Sequence, residues 1–103
     1  MHFIIAGLSN TGRSLAELLS KEGNEVVAID LSEDRCAEMA TSSDVSVITG
    51  DATKKPVLQE ARVKNADALV ALTNDDSDNL MICMLAKEMG AKKVISLVND
   101  EVR

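Results

Sequence analysis

Aromatic side chains are almost missing from this sequence: Phe3 is the only one, with no tyrosine and no tryptophan in 103 residues. Domains that hold single-stranded nucleic acid stack bases on aromatic rings, so the OB and RRM kinds are excluded. Positive charge is also short, with 11 Lys and Arg against 17 Asp and Glu and a net charge of −6. A nucleic-acid binder needs a basic stripe to neutralise phosphates, and none is available. Long apolar runs are absent as well. No stretch approaches the roughly 18 residues of a membrane span. The run from Phe3 to Leu8 is too short for a signal-peptide core and lacks a basic lead-in, so a cytoplasmic address is expected. Cys36 and Cys83 form no CxxC motif and have no nearby histidine, which points to buried reduced thiols over a disulfide framework or zinc site. The only histidine, His2, stands at the terminus, and no Ser–His or Cys–His pair offers nucleophilic chemistry.

What is present is ordinary for a soluble globular chain: 46% hydrophobic and 27% charged residues, enough for one domain spanning 1–103. The core has to be built from Val, Ile, Leu, Ala and five Met, which suits thin layers of helix on sheet. Short β-rich runs alternate with helical stretches. Strands are expected at Phe3–Ala6, Glu25–Ile29, Val45–Thr49, Asp67–Leu72 and Lys93–Val98. Helices are expected at Thr11–Glu22, stopped by Gly23; from a Ser32 cap to about Ala40; at Thr53–Ala61, with Thr53 as cap and Pro56 in the first turn; and at Asp76–Met89, closed by Gly90. Continuously apolar strands separated by helices predict an α/β fold: a doubly wound, Rossmann-like parallel sheet in the order 3-2-1-4-5. Ligands of such folds sit at the carboxyl ends of the strands, near the switch between strands 1 and 4.

The loop after the first strand reads Gly7-Leu8-Ser9-Asn10-Thr11-Gly12-Arg13-Ser14. As a dinucleotide fingerprint it is GxSxxG, with Ser9 where a glycine normally lets backbone approach a pyrophosphate. The helix that follows offers free N–H groups and a positive dipole. The same residues also form a near-miss P-loop, with Arg13 in place of lysine, and Val26–Asp30 resembles a Walker B strand. Two observations favour the dinucleotide reading. Arginine does not replace the compact charge of a P-loop lysine, and Asp30 follows Gly12 at about the 20-residue spacing of a ribose-binding carboxylate. A carboxylate there accepts ribose hydroxyls and repels a 2′-phosphate, so NAD(H) or an adenine nucleotide is favoured over NADP.

Two further strand-end segments join the candidate site. In Gly50-Asp51-Ala52-Thr53, Asp51 can accept from an adenine amino group while Ala52 leaves room for the ring; the alternative is an Asx turn leading into the helix. After the fourth strand, Thr73 and Asn74 would face phosphates or the second ribose. The aspartates that follow suit helix capping and lack the glycine and closing Glu of a calcium loop. The run Leu80–Ala86 is apolar around nearly the whole helix, so one face is expected to bind another subunit. A dehydrogenase also needs a second lobe with a proton-transfer group, so the expectation is nucleotide binding without catalysis.

Taken in order, IIAG, GRSLAELL, VVAID, GDAT, ADALVALT, the polar loop, the apolar helix and VISLVND resemble the N-terminal nucleotide-binding (RCK/KTN, TrkA-N) domain of Trk/Ktr-type potassium-uptake regulatory proteins. The resemblance covers essentially the whole chain. It implies a cytoplasmic domain that binds NAD(H) or ADP/ATP, assembles as a dimer or larger ring, and gates a potassium-translocating membrane protein at the inner face of the membrane. By position it implies a phosphate loop of Gly7, Leu8, Ser9, Asn10, Thr11 and Gly12, a ribose carboxylate at Asp30, adenine-side Asp51 and Ala52, and contacts from Thr73 and Asn74. The chain departs from the family at Ser9 and Arg62, where glycine is usual, and at Asn10, where arginine is frequent; Arg13 is expected to compensate in part. The resemblance also implies a sixth strand and a separate C-terminal domain beyond Arg103. A small P-loop-like NTPase and an assembly domain with a decayed site are the alternatives.

Overall fold

The computed structural model describes residues 1–98. Asn99 and Asp100, the end of the VISLVND run, lie outside the described residues. The elements follow in the order β1 (His2–Ala6), α1 (Asn10–Lys21), β2 (Glu25–Asp30), α2 (Glu33–Ser42), β3 (Ser46–Thr49), α3 (Lys55–Glu60), a short 3₁₀ turn (Val63–Asn65), β4 (Ala68–Ala71), α4 (Asp76–Glu88) and β5 (Val94–Ser96). All five strands are parallel and lie in the order β3-β2-β1-β4-β5, as the apolar runs require. Among the described residues no helix is long and apolar enough to cross a membrane.

Side chains alternate across the strands and so fill two cores. Ile4, Ala6, Val27, Ile29, Leu69 and Ala71 pack with Leu58, Ile82 and Ala86 from α3 and α4. On the other face Ile5, Val26, Ala28 and Val70 pack with Ala16, Cys36 and Met39 from α1 and α2. Phe3, the one aromatic residue, is only half-buried. Both cysteines are buried as free thiols, and burial pushes the Cys83 thiol above its ordinary value. The exposed side of α4 carries Leu80, Met81 and Met84, while Ile82, Cys83 and Ala86 face inward.

The helix ends show where the local signals hold and where they fail. Gly23, at φ +89, closes α1 by a Schellman pair, with Gly23 N–H on Ser20 O and Asn24 N–H on Leu19 O. Gly90 closes α4 in the same way, through Lys87 O and Ala86 O. Ser32 caps α2 by accepting from Arg35 N–H at 3.2 Å. Thr53, expected to cap α3, does not: the helix starts at Lys55, its cap position is Lys54, and no side chain caps it. Thr53 lies one residue before the cap, where its N–H and hydroxyl both donate to Asp51 Oδ1.

Arg62 occupies the position after α3 that glycine fills in α1 and α4, and adopts φ +60, ψ +49. A Cβ in this region costs on the order of 1 kcal/mol, which explains a preference for glycine there. Its guanidinium meets the exposed Glu25 carboxylate at 2.7 Å, a solvent-screened contact that offsets only part of the strain. Arg62→Gly is therefore expected to raise stability by up to about 1 kcal/mol in urea unfolding; an unchanged or lower midpoint would make the ion pair the larger effect.

Candidate functional site

The carboxyl ends of β1, β2, β3 and β4 surround a cleft of about 440 Å³, a size typical of small-molecule sites. Of the residues singled out from sequence, Gly7, Leu8, Ser9, Asp30, Asp51, Ala52, Thr73 and Asn74 line it. Asn10, Thr11 and Gly12 do not; they stand behind the wall in the first turn of α1, where Asn10 and Thr11 are exposed and Gly12 is buried. Leu31, Ser32, Arg35, Asp75 and Asp78 line the cleft without having been anticipated. Leu31 is the one with a sequence signal, an apolar residue in a polar strand-end turn, and it is 72% exposed.

The glycine turn is fixed by contact with β4. Gly7 has φ +117, and a Cβ there would come within 2.8 Å of Leu72 O. A Cβ on Gly12 would overlap the Gly7 carbonyl oxygen and reach within 2.9 Å of Leu72 Cδ1. Close packing of helix on strand thus requires both glycines. Ser9 differs: its φ of −67 suits any residue, so the serine sits there without strain. It is the N-cap residue of α1, yet its hydroxyl makes no capping hydrogen bond, whereas α2 and α4 are capped by Ser32 and Asp75. The first-turn N–H groups of α1 therefore keep their donor capacity beside the cleft.

Asp30, at the end of β2, organises this wall. One carboxylate oxygen accepts from Leu8 N–H at 2.7 Å and the other from Ser32 N–H at 2.8 Å, which ties the glycine turn to the β2 turn. Each oxygen retains a lone pair. Arg35 lies 3.9 Å from Asp30 and is, among the described residues, the only cation on the cleft, against Asp30, Asp51, Asp75 and Asp78. Arg13 is not available to the cleft: its guanidinium pairs with Glu38 at 3.0 Å and Glu17 at 3.6 Å across the outer face of α1 and α2. That position corrects the expectation that Arg13 compensates for Asn10, and it removes the cation that the P-loop alternative requires.

Asp51 makes the Asx turn. Its Oδ1 accepts from Thr53 N–H at 2.9 Å and from the Thr53 hydroxyl at 2.6 Å. Those bonds, the hydroxyl first, hold the Asp51 carboxyl below its ordinary 3.8. Away from the cleft, Arg62 lowers Glu25 from 4.5, and the His2 backbone N–H lowers Asp67 from 3.8. Each group releases its proton more readily when folded, so as the pH drops the unfolded chain is protonated first. Their stabilisation is complete above the ordinary values and is lost as pH falls through the lower folded ones. Urea-unfolding stability is therefore expected to be level from about pH 7 to 5 and to fall below about pH 4, with a shallower acid limb in Asp51→Asn.

On the β4 side, the Thr73 hydroxyl points inward, donating to Asn79 Oδ1 at 2.7 Å and accepting from Asp75 N–H at 3.2 Å. Asp75 caps α4 through Asp78 N–H at 2.9 Å, so capping accounts for that carboxylate.

A doubly wound parallel sheet, a glycine turn into α1 and a carboxylate at the end of β2 together define a Rossmann-like domain. Comparison with known proteins narrows the class. The chain belongs to the TrkA-N domain family, whose model matches residues 3–103. The Trk system potassium uptake protein TrkA homolog of Pyrococcus abyssi is 40% identical over 92 residues, covering 89% of this chain and 40% of that protein. The Trk system potassium uptake protein TrkA of Halomonas elongata is 41% identical over 98 residues, covering 94% of this chain and 21% of that protein. The chain thus spans less than half the length of either. Among solved structures, the Kef CTD of Shewanella denitrificans in its AMP-bound form superposes with a TM-score of 0.83 at 27% identity, over 97% of this chain and 60% of that one.

Proposed function

We propose that the chain is the nucleotide-sensing unit of a potassium-uptake system: it binds NAD(H) in the strand-end cleft and catalyses nothing. In this reading the pyrophosphate lies against Leu8, Ser9 and the first turn of α1, and the adenosine ribose against Asp30. The adenine lies between Leu31 and Ala52, with the free oxygen of Asp51 as acceptor for its amino group. The observation that carries the reading is the uncapped N-terminus of α1 on a cleft wall that also holds the Asp30 carboxylate. The AMP-bound relative supports an adenine nucleotide, and the names of the curated relatives support potassium uptake.

Charge favours the dinucleotide. Among the described residues, four carboxylates against one arginine disfavour the more highly charged triphosphate unless a magnesium ion accompanies it. Nucleotide binding favours one arrangement of neighbouring subunits, packed through Leu80, Met81 and Met84, and so biases a potassium-translocating partner from the cytoplasmic side of the membrane. Calorimetric titration with NADH, ADP and ATP, with and without magnesium, tests the site. NADH is expected to bind most tightly and without magnesium. Magnesium-dependent turnover of ATP would show an NTPase instead, and no heat from any nucleotide would leave an assembly domain.

A further inference from the structure

Asn79 is a wholly buried polar side chain, 0% exposed, in the first turn of α4. Its carboxamide is used to capacity. Oδ1 accepts from the Thr73 N–H at 2.8 Å and the Thr73 hydroxyl at 2.7 Å. The Nδ2 group donates to Thr73 O at 3.2 Å and to Leu97 O at 3.0 Å. Three of these bonds grip one residue of the cleft wall, and the fourth grips the chain just past β5, 18 residues on. Only an amide fits this set. A carboxylate would set oxygen against two carbonyls, and an aliphatic side chain would make none of the four bonds.

From this geometry we infer that Asn79 is a positioning residue that couples the nucleotide cleft to the end of β5. The inference rests on the nucleotide reading above. Thr73 lines the cleft, so a ligand that fixes its backbone also fixes Asn79 and, through Nδ2, the Leu97 carbonyl. Leu97 is also tied to the sheet by its own N–H on Ala71 O at 2.9 Å. Around it Ile95, Leu97 and Val98 turn apolar side chains outward, so the segment set by Asn79 is one from which a change at the cleft can reach a neighbouring surface. Such coupling has to be reciprocal: constraint applied to the end of β5 would alter nucleotide affinity by the same factor.

Amide hydrogen exchange read by NMR, with NADH at concentrations that saturate each protein, tests the coupling. In the unmodified chain, NADH is expected to slow exchange at Leu8 in the glycine turn and to slow Leu97 about tenfold. In Asn79→Asp, which keeps the shape and removes both donors, Leu8 is expected to slow while Leu97 does not respond. Asn79→Ser, without a buried charge and too short to reach Leu97, gives the same reading if the aspartate chain does not fold. A purely structural role would lower the stability of both variants and leave the Leu97 response to NADH intact; that result overturns the inference. So does an unmodified chain in which Leu8 slows and Leu97 does not. If neither amide responds and calorimetry registers no binding, the nucleotide reading itself falls, and the coupling with it.

Discussion

Gly12→Ala is expected to cost at least about 3 kcal/mol of stability and to remove nucleotide binding with it. The added Cβ would overlap the Gly7 carbonyl oxygen, a backbone atom that cannot rotate aside, and would also press on Leu72. Relief requires α1 to lift from the ends of β1 and β4, which moves Ser9 and the helix N-terminus away from the cleft. Although Gly12 does not line the cleft, its substitution therefore reaches the cleft through the backbone. Urea unfolding combined with NADH titration checks both halves. A variant with an unchanged midpoint would mean that α1 packs less closely on β1 than described.

Asp30→Ala is expected to weaken NADH binding at least about 100-fold and also to lower stability by about 1–3 kcal/mol. Read from the sequence, Asp30 is a ribose acceptor, and its removal should leave the fold untouched. The structure gives it a second task, because its oxygens accept the Leu8 and Ser32 N–H groups that join two turns. Alanine leaves both donors without their acceptor. Asp30→Asn keeps one acceptor oxygen and is expected to recover part of the stability and little of the affinity. If alanine lowers affinity with no change in stability, the two backbone bonds contribute less than their geometry implies.

The contrast at Asp30 marks the boundary of what the sequence carries. Ile4, Ile5, Val27, Ala28, Leu69 and Val70 lie in runs too continuously apolar for a one-sided sheet, and right-handed crossovers then leave few strand orders. Gly23 and Gly90 end their helices because a local hydrogen-bond pattern asks for a left-handed residue. Gly7, Asp30 and Asp51 stand at or just past the ends of strands, so finding the strands finds the cleft. What the sequence conceals depends on partners distant along the chain. Nothing near Asn79 shows that Leu97 will take its N–H, and nothing near Thr73 shows that its hydroxyl turns inward. Arg13 looks available for phosphate until α2 brings Glu38 beside it. Thr53 looks like a cap, but its N–H and hydroxyl close the turn on Asp51 and the helix begins only at Lys55, which puts Lys54 in the cap position.

One cleft, built from the ends of β1, β2, β3 and β4, is proposed to hold a nucleotide. Following backbone amide resonances during titration with NADH tests it most directly. The largest shifts are expected at Leu8, Ser9 and Asn10, at Leu31 and Ser32, at Ala52 and Thr53, and at Thr73 and Asn74. The outer face of α1 and α2 around Arg13, Glu17 and Glu38 is expected to stay unchanged. Saturable shifts confined to that outer face or to α4, or no shifts at millimolar NADH, would mean that the cleft does not hold the nucleotide.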